Sequence, residues 1–430
     1  MDRKIEGFMK LNILERKKLC ISSIIYIILT LAAFSDILRI WGTPITFFRL
    51  SLPICLIVIA LYPKWLKRFI IVLMSFVIVN GLQSIIFYKI IFPELQWKIQ
   101  RFFEQTFWFS CVFVVFFLCA ILKENMQDKF ESDIVNFIIY VGSAYIVIQI
   151  IGAFFPEFVG SIELDNKNNY GCFLCALLPV LLVKWEYQKK KRFILLIMAL
   201  VVVTYMNDSK AALIGEIMQI FLFCCVSGDK NDRKHHFIFR YVSIIVGVGL
   251  VITLFIINPH IHEYTLRGSF LEPIIRVLTN DPYPIYTTSI TFRTNTTLYA
   301  FQQLWRTGFI GLGAGNTGIM LKQQFPNLNP NYKLALAADS LSLHNAWLET
   351  LLDFGIVILI CYIIVIWYAI KKFFIKVNLT QCEKMRVVFI LSMPIWIMST
   401  SGIHTLYYVF IMISFLVLGE KDKIIFENKG

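Results

Sequence analysis

Charge is scarce in this chain. Only 16% of its residues are Asp, Glu, Lys or Arg, against roughly 25% in soluble domains, while 58% are hydrophobic and the mean hydropathy is +0.69. That balance excludes an ordinary soluble domain and points to an all-α, polytopic membrane protein. The net charge of +13 is no nucleic-acid signature, because the 41 basic residues are spread between apolar runs, as they are when Lys and Arg collect on cytoplasmic loops. No nucleic-acid partner is expected. Cysteine is missing from the one long polar stretch, residues 258–344, so no disulfide framework is implied. Also missing is a second Cys or His pair to complete a metal site with Cys172 and Cys175, so this CxxC reads as small packing residues in an apolar helix. The basic N-terminus, Arg3 to Lys18, resembles the charged region of a signal sequence. The apolar run after it ends in Ser35-Asp36-Ile37-Leu38-Arg39 without a small-residue cleavage site, so an uncleaved first span is expected.

What is present is a series of apolar runs suited to spanning a bilayer, which takes about 17 to 25 helical residues. They lie near 20–38, 45–62, 69–91, 106–122, 134–155, 169–183, 193–206, 211–227, 238–257, 345–370, 387–401 and 404–419. The expected architecture is therefore about twelve transmembrane helices with one large extracytoplasmic loop between spans 9 and 10. Residues 1–257 would hold spans 1–9, 258–344 the loop with interfacial helices, 345–419 spans 10–12, and 420–430 a cytoplasmic tail. With the N-terminus inside, 28 of the 41 Lys and Arg residues fall in cytoplasmic segments, which is the bias the positive-inside rule demands. Both termini are then cytoplasmic and the long loop faces outward, where no cytosolic ATP or nucleotide sugar reaches. Transfer chemistry there would need a donor already carried by lipid.

Several polar groups stand out against the apolar background. Arg49 lies inside a span, where a charge is costly unless paired, snorkelling or functional. Asp165-Asn166-Lys167-Asn168-Asn169-Tyr170-Gly171 opens the sixth span, and both a helix cap with a turn and a substrate contact explain it. Asn207-Asp208-Ser209-Lys210 is a turn between two short spans. Lys210 on the outer side runs against the charge bias, which favours anion binding over simple snorkelling. In the long loop, Leu298, Phe301 and Trp305 recur with helical spacing between Arg293 and Arg306, the pattern of an amphipathic interfacial helix. The following GFIGLGAGNTG carries Gly313, Gly315 and Gly318 in a GxGxxG spacing, but without the strand and βαβ unit that give that motif its mechanism. A glycine-rich turn admits a phosphate or sugar close to backbone N–H groups, and an irregular lid explains it equally well. The segment Ser340 to Gly355 then places His344, Asn345, Glu349 and Asp353 at the mouth of a span. His344 titrates nearest neutral pH of these side chains, and an interfacial cap residue is its plainer reading.

Taken in order, these motifs resemble those of the O-antigen ligase and Wzy-type polysaccharide polymerase superfamily of bacterial envelopes. The matches are Asn169-Tyr170-Gly171 as an Asn-rich opening of a span, Asp208-Ser209-Lys210-Ala211 as a Ser-Arg turn, Arg293 ahead of an amphipathic segment, Gly311 to Gly315 as a G-x-G turn, and His344-Asn345 with Glu349 and Gly355 opening the next span. Lysine stands where the family has arginine at 210, which keeps the charge and loses the bidentate fork. The resemblance covers roughly residues 160–420 and implies a glycan donor on a polyprenyl pyrophosphate, in the bacterial cytoplasmic membrane. It makes His344, Arg293 and Glu349 the catalytic candidates: His344 as base or phosphate donor, Arg293 on the pyrophosphate, and Glu349 holding the imidazole or the acceptor sugar. Lys210, Ser209, Asn169, Arg306, Gly313, Gly315 and Asn345 are the substrate-binding candidates. No metal and no cofactor are called for, and no DxD-like pair stands on the outer face. The implied partners are the lipid-linked glycan, membrane lipid, and a chain-length regulator and flippase of the same pathway. Polymerase is preferred to ligase because the loop is modest in length. A transporter is the rival from another class, and the absence of an internal repeat weighs against it.

Overall fold

Apolar segments in lipid must satisfy their backbone polar groups internally, which selects the helix, and no strand occurs among the described residues. The computed structural model describes residues 2–35, 37–38, 45–91, 93, 99–154, 167–207, 209–227, 299–324, 343, 345–375, 379–397 and 406–419, with side chains from residue 15 onward except at 99–101, 105, 153–154, 167–168, 210 and 322–324. The expected ninth span, 238–257, lies outside the described residues, as do Arg293, His344 and the side chain of Lys210.

The elements in order are α1 (Asp2–Ala33), α2 (Phe47–Leu50), α3 (Leu52–Ala60), α4 (Pro63–Ile86), α5 (Ile99–Met126), α6 (Phe130–Phe154), α7 (Lys167–Gln188), α8 (Lys191–Met206), α9 (Lys210–Val226), α10 (299–306), α11 (Asn316–Gln324), α12 (Ala346–Phe354), α13 (Ile356–Ile375), α14 (Gln381–Trp396) and α15 (Tyr407–Leu418). Four stretches are long and apolar enough to cross a membrane: Pro63–Ile91, Phe102–Gly152, Asn169–Gln188 and Ile356–Ile375, with Ala211–Val226 and Tyr407–Leu418 as shorter apolar helices. The chain is thus an all-α membrane protein. The 51-residue stretch is interrupted by the 3-10 turn Gln127–Lys129 between α5 and α6.

Two expected spans are divided. The run 45–62 breaks at Ser51 into α2 and α3, because Pro53 cannot supply the N–H that would continue the helix and the Ser51 hydroxyl bonds the Phe48 carbonyl at 2.7 Å. The run 345–370 breaks at Gly355, whose φ of +63° separates α12 from the spanning helix α13.

The sixth apolar run supplies the centre of the bundle. The spanning window of α7 is 83% buried, against 11% for α13 and 22% for α4, so α13 and α4 lie at the periphery of the bundle. Around α7 pack α6, α8, α9, α14 and α15, while α1, α3 and α4 gather on α5. A second, smaller core joins Phe87 and Tyr88 after α4 to Ala300, Leu304, Leu312, Met320, Leu343, Leu348 and Leu352. It sits at the end of the bundle that carries the glycine-rich segment, called the loop end below. At the opposite end Lys384 reaches Glu186 at 2.6 Å, Lys372 reaches Glu383 at 2.8 Å, and Thr380 with Glu383 forms a capping box on α14.

Candidate functional site

The loop end is organised by a polar stripe on α4, where Asn80, Gln83 and Ser84 fall at i, i+3 and i+4 and are buried. Lipid would not tolerate them exposed, and each meets the glycine-rich segment. The Asn80 carboxamide oxygen accepts from the Ala314 N–H at 2.5 Å, and its nitrogen donates to Thr106 on α5 at 3.2 Å. Gln83 donates to the Ile310 and Phe354 carbonyls at 3.0 and 3.4 Å. Asn316 donates to Ser84 Oγ at 3.3 Å and accepts from the Tyr88 hydroxyl at 3.1 Å. Tyr88 stands in a π-helical turn, Phe87–Ile91, that ends the helix.

The same segment is paired with α12. Leu312 N–H donates to Leu352 O at 2.8 Å, Gly313 N–H to Asp353 O at 2.9 Å, and Ile356 N–H to Phe309 O at 2.7 Å. The first two bonds satisfy carbonyls at the end of α12 that would otherwise be orphaned. Asp353 closes the turn from the side: its carboxylate accepts from the Thr317 hydroxyl at 2.6 Å, from the Thr317 N–H at 3.4 Å and from the Gly315 N–H at 3.1 Å. Burial raises its carboxyl to about 6 in spite of these three donors, which act to lower it. The contact is close enough to need glycine at two positions. A Cβ on Gly311 would lie 2.6 Å from the Gly355 nitrogen, and one on Gly355 would lie 2.4 Å from the Ile310 carbonyl.

Of the candidate residues, Gly313, Gly315, Asn345, Glu349 and Arg306 belong to this unit. The N–H groups of Gly313 and Gly315 are held by Asp353, so within this arrangement the turn serves the fold. Asn345 is the N-cap of α12, accepting from Leu348 N–H at 3.2 Å. Asn345, Glu349 and Asp353 are spaced by four and so share one face of that helix. Arg306 is exposed at the end of α10 and lies beside Tyr299, whose hydroxyl burial pushes up while the guanidinium pulls it down. The buried face of α10 carries Ala300, Gln303, Leu304 and, just beyond its end, Thr307, while Trp305 points away and is 79% exposed, in the manner of an interfacial aromatic anchor.

Asn169 and Ser209 form a second group at the same end. A Cβ on Gly171 would lie 2.5 Å from Ser209 Oγ and 2.4 Å from the Ala212 Cβ, so the starts of α7 and α9 touch. Ser209 is buried, and Asn169 lines a small cleft with Ser35, Tyr145, Phe173, Tyr407 and Tyr408. Arg49 is stacked on Trp108, its guanidinium carbon 3.3 Å from the ring centroid, which is a cation–π arrangement. Cys172 and Cys175 are buried thiols that donate to the Trp396 and Ala212 carbonyls at 3.5 and 3.4 Å. Among the described residues no group of three His, Cys, Asp or Glu side chains could hold a metal ion.

Sequence reasoning gave no role to Asp353, Thr317, the Asn80-Gln83-Ser84 stripe or Glu216. The signal was available in the stripe and in Glu216, since polar residues at helical spacing inside an apolar run mark a face turned from lipid. No family model and no curated protein matches the chain.

Proposed function

We propose that the chain is a metal-independent glycosyltransferase that joins polyprenyl-pyrophosphate-linked oligosaccharide repeat units into a surface polysaccharide, an O-antigen or a capsule. It would act on the outer face of a bacterial cytoplasmic membrane, with about twelve spans and both termini inside. One observation carries this reading: motifs matched separately in the sequence meet in pairs. The GLGAGN turn is hydrogen-bonded to the HNAWLETLLDFG segment through Leu312, Gly313 and Gly315, and the Asn169-Tyr170-Gly171 segment is packed on Ser209. Both pairs stand at one end of the bundle.

In this reading an acceptor hydroxyl attacks the anomeric carbon, His344 takes its proton, and the sugar–phosphate bond breaks with the polyprenyl pyrophosphate leaving. Arg293 neutralises charge on the departing phosphates, with Lys210 and Arg306 as further cations. Glu349 orients His344 or the acceptor, and Asn345 caps the helix that carries Glu349. Membranes holding the protein are supplied with lipid-linked repeat units in the absence of an ion gradient and with divalent metals chelated. Chains longer than one repeat are expected, and His344→Ala and Arg293→Ala should each lower the rate by about 10²–10⁴-fold. In cells lacking the gene, single repeat units at the surface are expected. Long chains left on the lipid carrier would identify a ligase instead, and unaltered chain length in both variants would refute a catalytic role.

A further inference from the structure

A polar cluster lies inside the bundle where α7, α8, α9 and α14 meet, away from the loop-end unit. Glu216 on α9 has no solvent exposure, and neither have Gln219, Thr204 and Ser392. Gly215 brings α14 close, its Cβ position lying 2.7 Å from Trp396 Cβ. Gln219 is fixed in orientation: its nitrogen donates to the Cys175 carbonyl at 2.8 Å and to Ser392 Oγ at 2.9 Å. Its oxygen therefore needs a donor and has none among the described residues, and Glu216 Oε2 likewise has no partner among them. These two orphaned oxygens belong to residues three apart on one helix, which are neighbours on its surface.

Counting protons resolves the cluster. The Thr204 hydroxyl stands within hydrogen-bond reach of two acceptors, the Leu200 carbonyl at 3.1 Å and Glu216 Oε1, yet it has one proton to give. The Leu200 carbonyl cannot supply another. Glu216 can, since a proton on its carboxyl satisfies the Thr204 oxygen from the second side while the Thr204 hydroxyl keeps the Leu200 carbonyl. Other charged or titratable groups do not remove the need. Cys175 and Cys172 on α7 are buried thiols, α8 presents Thr204, and α14 presents Ser392 and Trp396. Among the described residues no salt bridge reaches Glu216. Lys210, six residues earlier on α9, is roughly 9 Å along the axis and about 240° around it, on a different face. An unpaired carboxylate in such surroundings is far costlier than its neutral acid.

We infer that this cluster is a proton-binding site: Glu216 carries a bound proton at the junction that holds α7 and α9 together. Release of that proton leaves a charge between four helices, so occupancy of the site controls their packing. The inference does not depend on the glycosyltransferase reading.

Infrared spectra and thermal unfolding of the full-length protein in lipid nanodiscs test it. Wild type at pH 7 should show a protonated-carboxyl C=O band that shifts in D2O and is missing from Glu216→Gln. Glu216→Gln, which mimics the bound state, should unfold within about 2 °C of wild type at pH 6 and lose less stability than wild type as the pH is raised. Glu216→Ala should unfold well below both at pH 6. A carboxylate band from Glu216 at pH 7, or Glu216→Gln as unstable as Glu216→Ala at pH 6, would overturn the proposal. So would stabilisation of wild type but not Glu216→Gln by sodium ions, which would assign the site to a metal cation.

Discussion

The Asp353 carboxylate accepts two hydrogen bonds from one residue, the Thr317 hydroxyl at 2.6 Å and the Thr317 N–H at 3.4 Å, and so ties the start of α11 to the end of α12. The third bond, from Gly315, fixes the glycine turn between them. This clamp joins α11, the glycine turn and α12, and it carries its own pH dependence.

Burial raises the Asp353 carboxyl to about 6, above the roughly 3.9 of an unfolded aspartate. Between those values the folded protein binds more proton than the unfolded chain. The stability contributed by this group therefore falls as pH rises from about 4 to about 6 and is flat above. Asp353→Asn removes the titration and sets an amide N–H against the Gly315 donor. The difference in unfolding temperature between wild type and Asp353→Asn, measured in detergent across that range, should shrink with rising pH and then level. A difference independent of pH would show that Asp353 does not titrate in the folded state.

Two glycines of the loop end make unequal predictions. Gly355 has φ of +63° and its Cβ would strike the Ile310 and Phe309 carbonyls at 2.4 Å, whereas Gly308 has φ of +59° with nothing within 4 Å. Gly308→Ala meets only the left-handed conformational cost of about 1–2 kcal/mol. Gly355→Ala adds a clash with backbone that cannot step aside, and should cost more than about 3 kcal/mol. Paired thermal shifts in detergent measure this, and equal losses would mean that α12 and the turn are free to separate.

The helical class and most apolar runs were legible in the sequence because lipid forces a simple code on the backbone. Residues 193–206 and 211–227 are met by α8 (Lys191–Met206) and α9 (Lys210–Val226) within two residues. The breaks at Ser51 and Gly355 were not legible in hydropathy, although Pro53 marks the first as a point where a helix loses an N–H. The loop-end unit was half legible. Its glycines and Asn345 were visible as motifs, but hydropathy offered no reason to pair them with Asn80 and Gln83, more than two hundred residues earlier. Asp353 was visible as a carboxylate at a helix mouth. Its role depends on Thr317, which no spacing rule connects to it.

Gln83 is the strut between the spanning helix α4 and this unit. Its amide donates to carbonyls on both partners, Ile310 on the turn and Phe354 on α12. Gln83→Leu keeps the volume and removes both part-buried hydrogen bonds, a loss of about 1–3 kcal/mol. Cleavage within 308–318 by an added protease should accelerate in this variant while the transmembrane fragments stay intact. An unchanged cleavage rate would mean that α12 alone holds the turn.

The far end of the bundle makes a separate prediction, because α15 terminates on two cations. Arg386 is buried and donates through Nε to Leu416 O at 2.6 Å and through Nη2 to Gly419 O at 2.7 Å, while Lys123 reaches Leu418 O at 2.5 Å. Carbonyls at a helix C-terminus are unsatisfied and partly negative, so a guanidinium there acts as both cap and counter-charge. Arg386→Met retains the apolar stem and removes both bonds, at about 1.5–3 kcal/mol for hydrogen bonds to a charged group. Lys123→Met removes one bond and should cost less. Because both cations cap the same helix end, the double variant should lose less than the sum of the two single losses. Thermal unfolding of the four proteins measures the coupling, and strict additivity would show that Arg386 and Lys123 act on α15 independently.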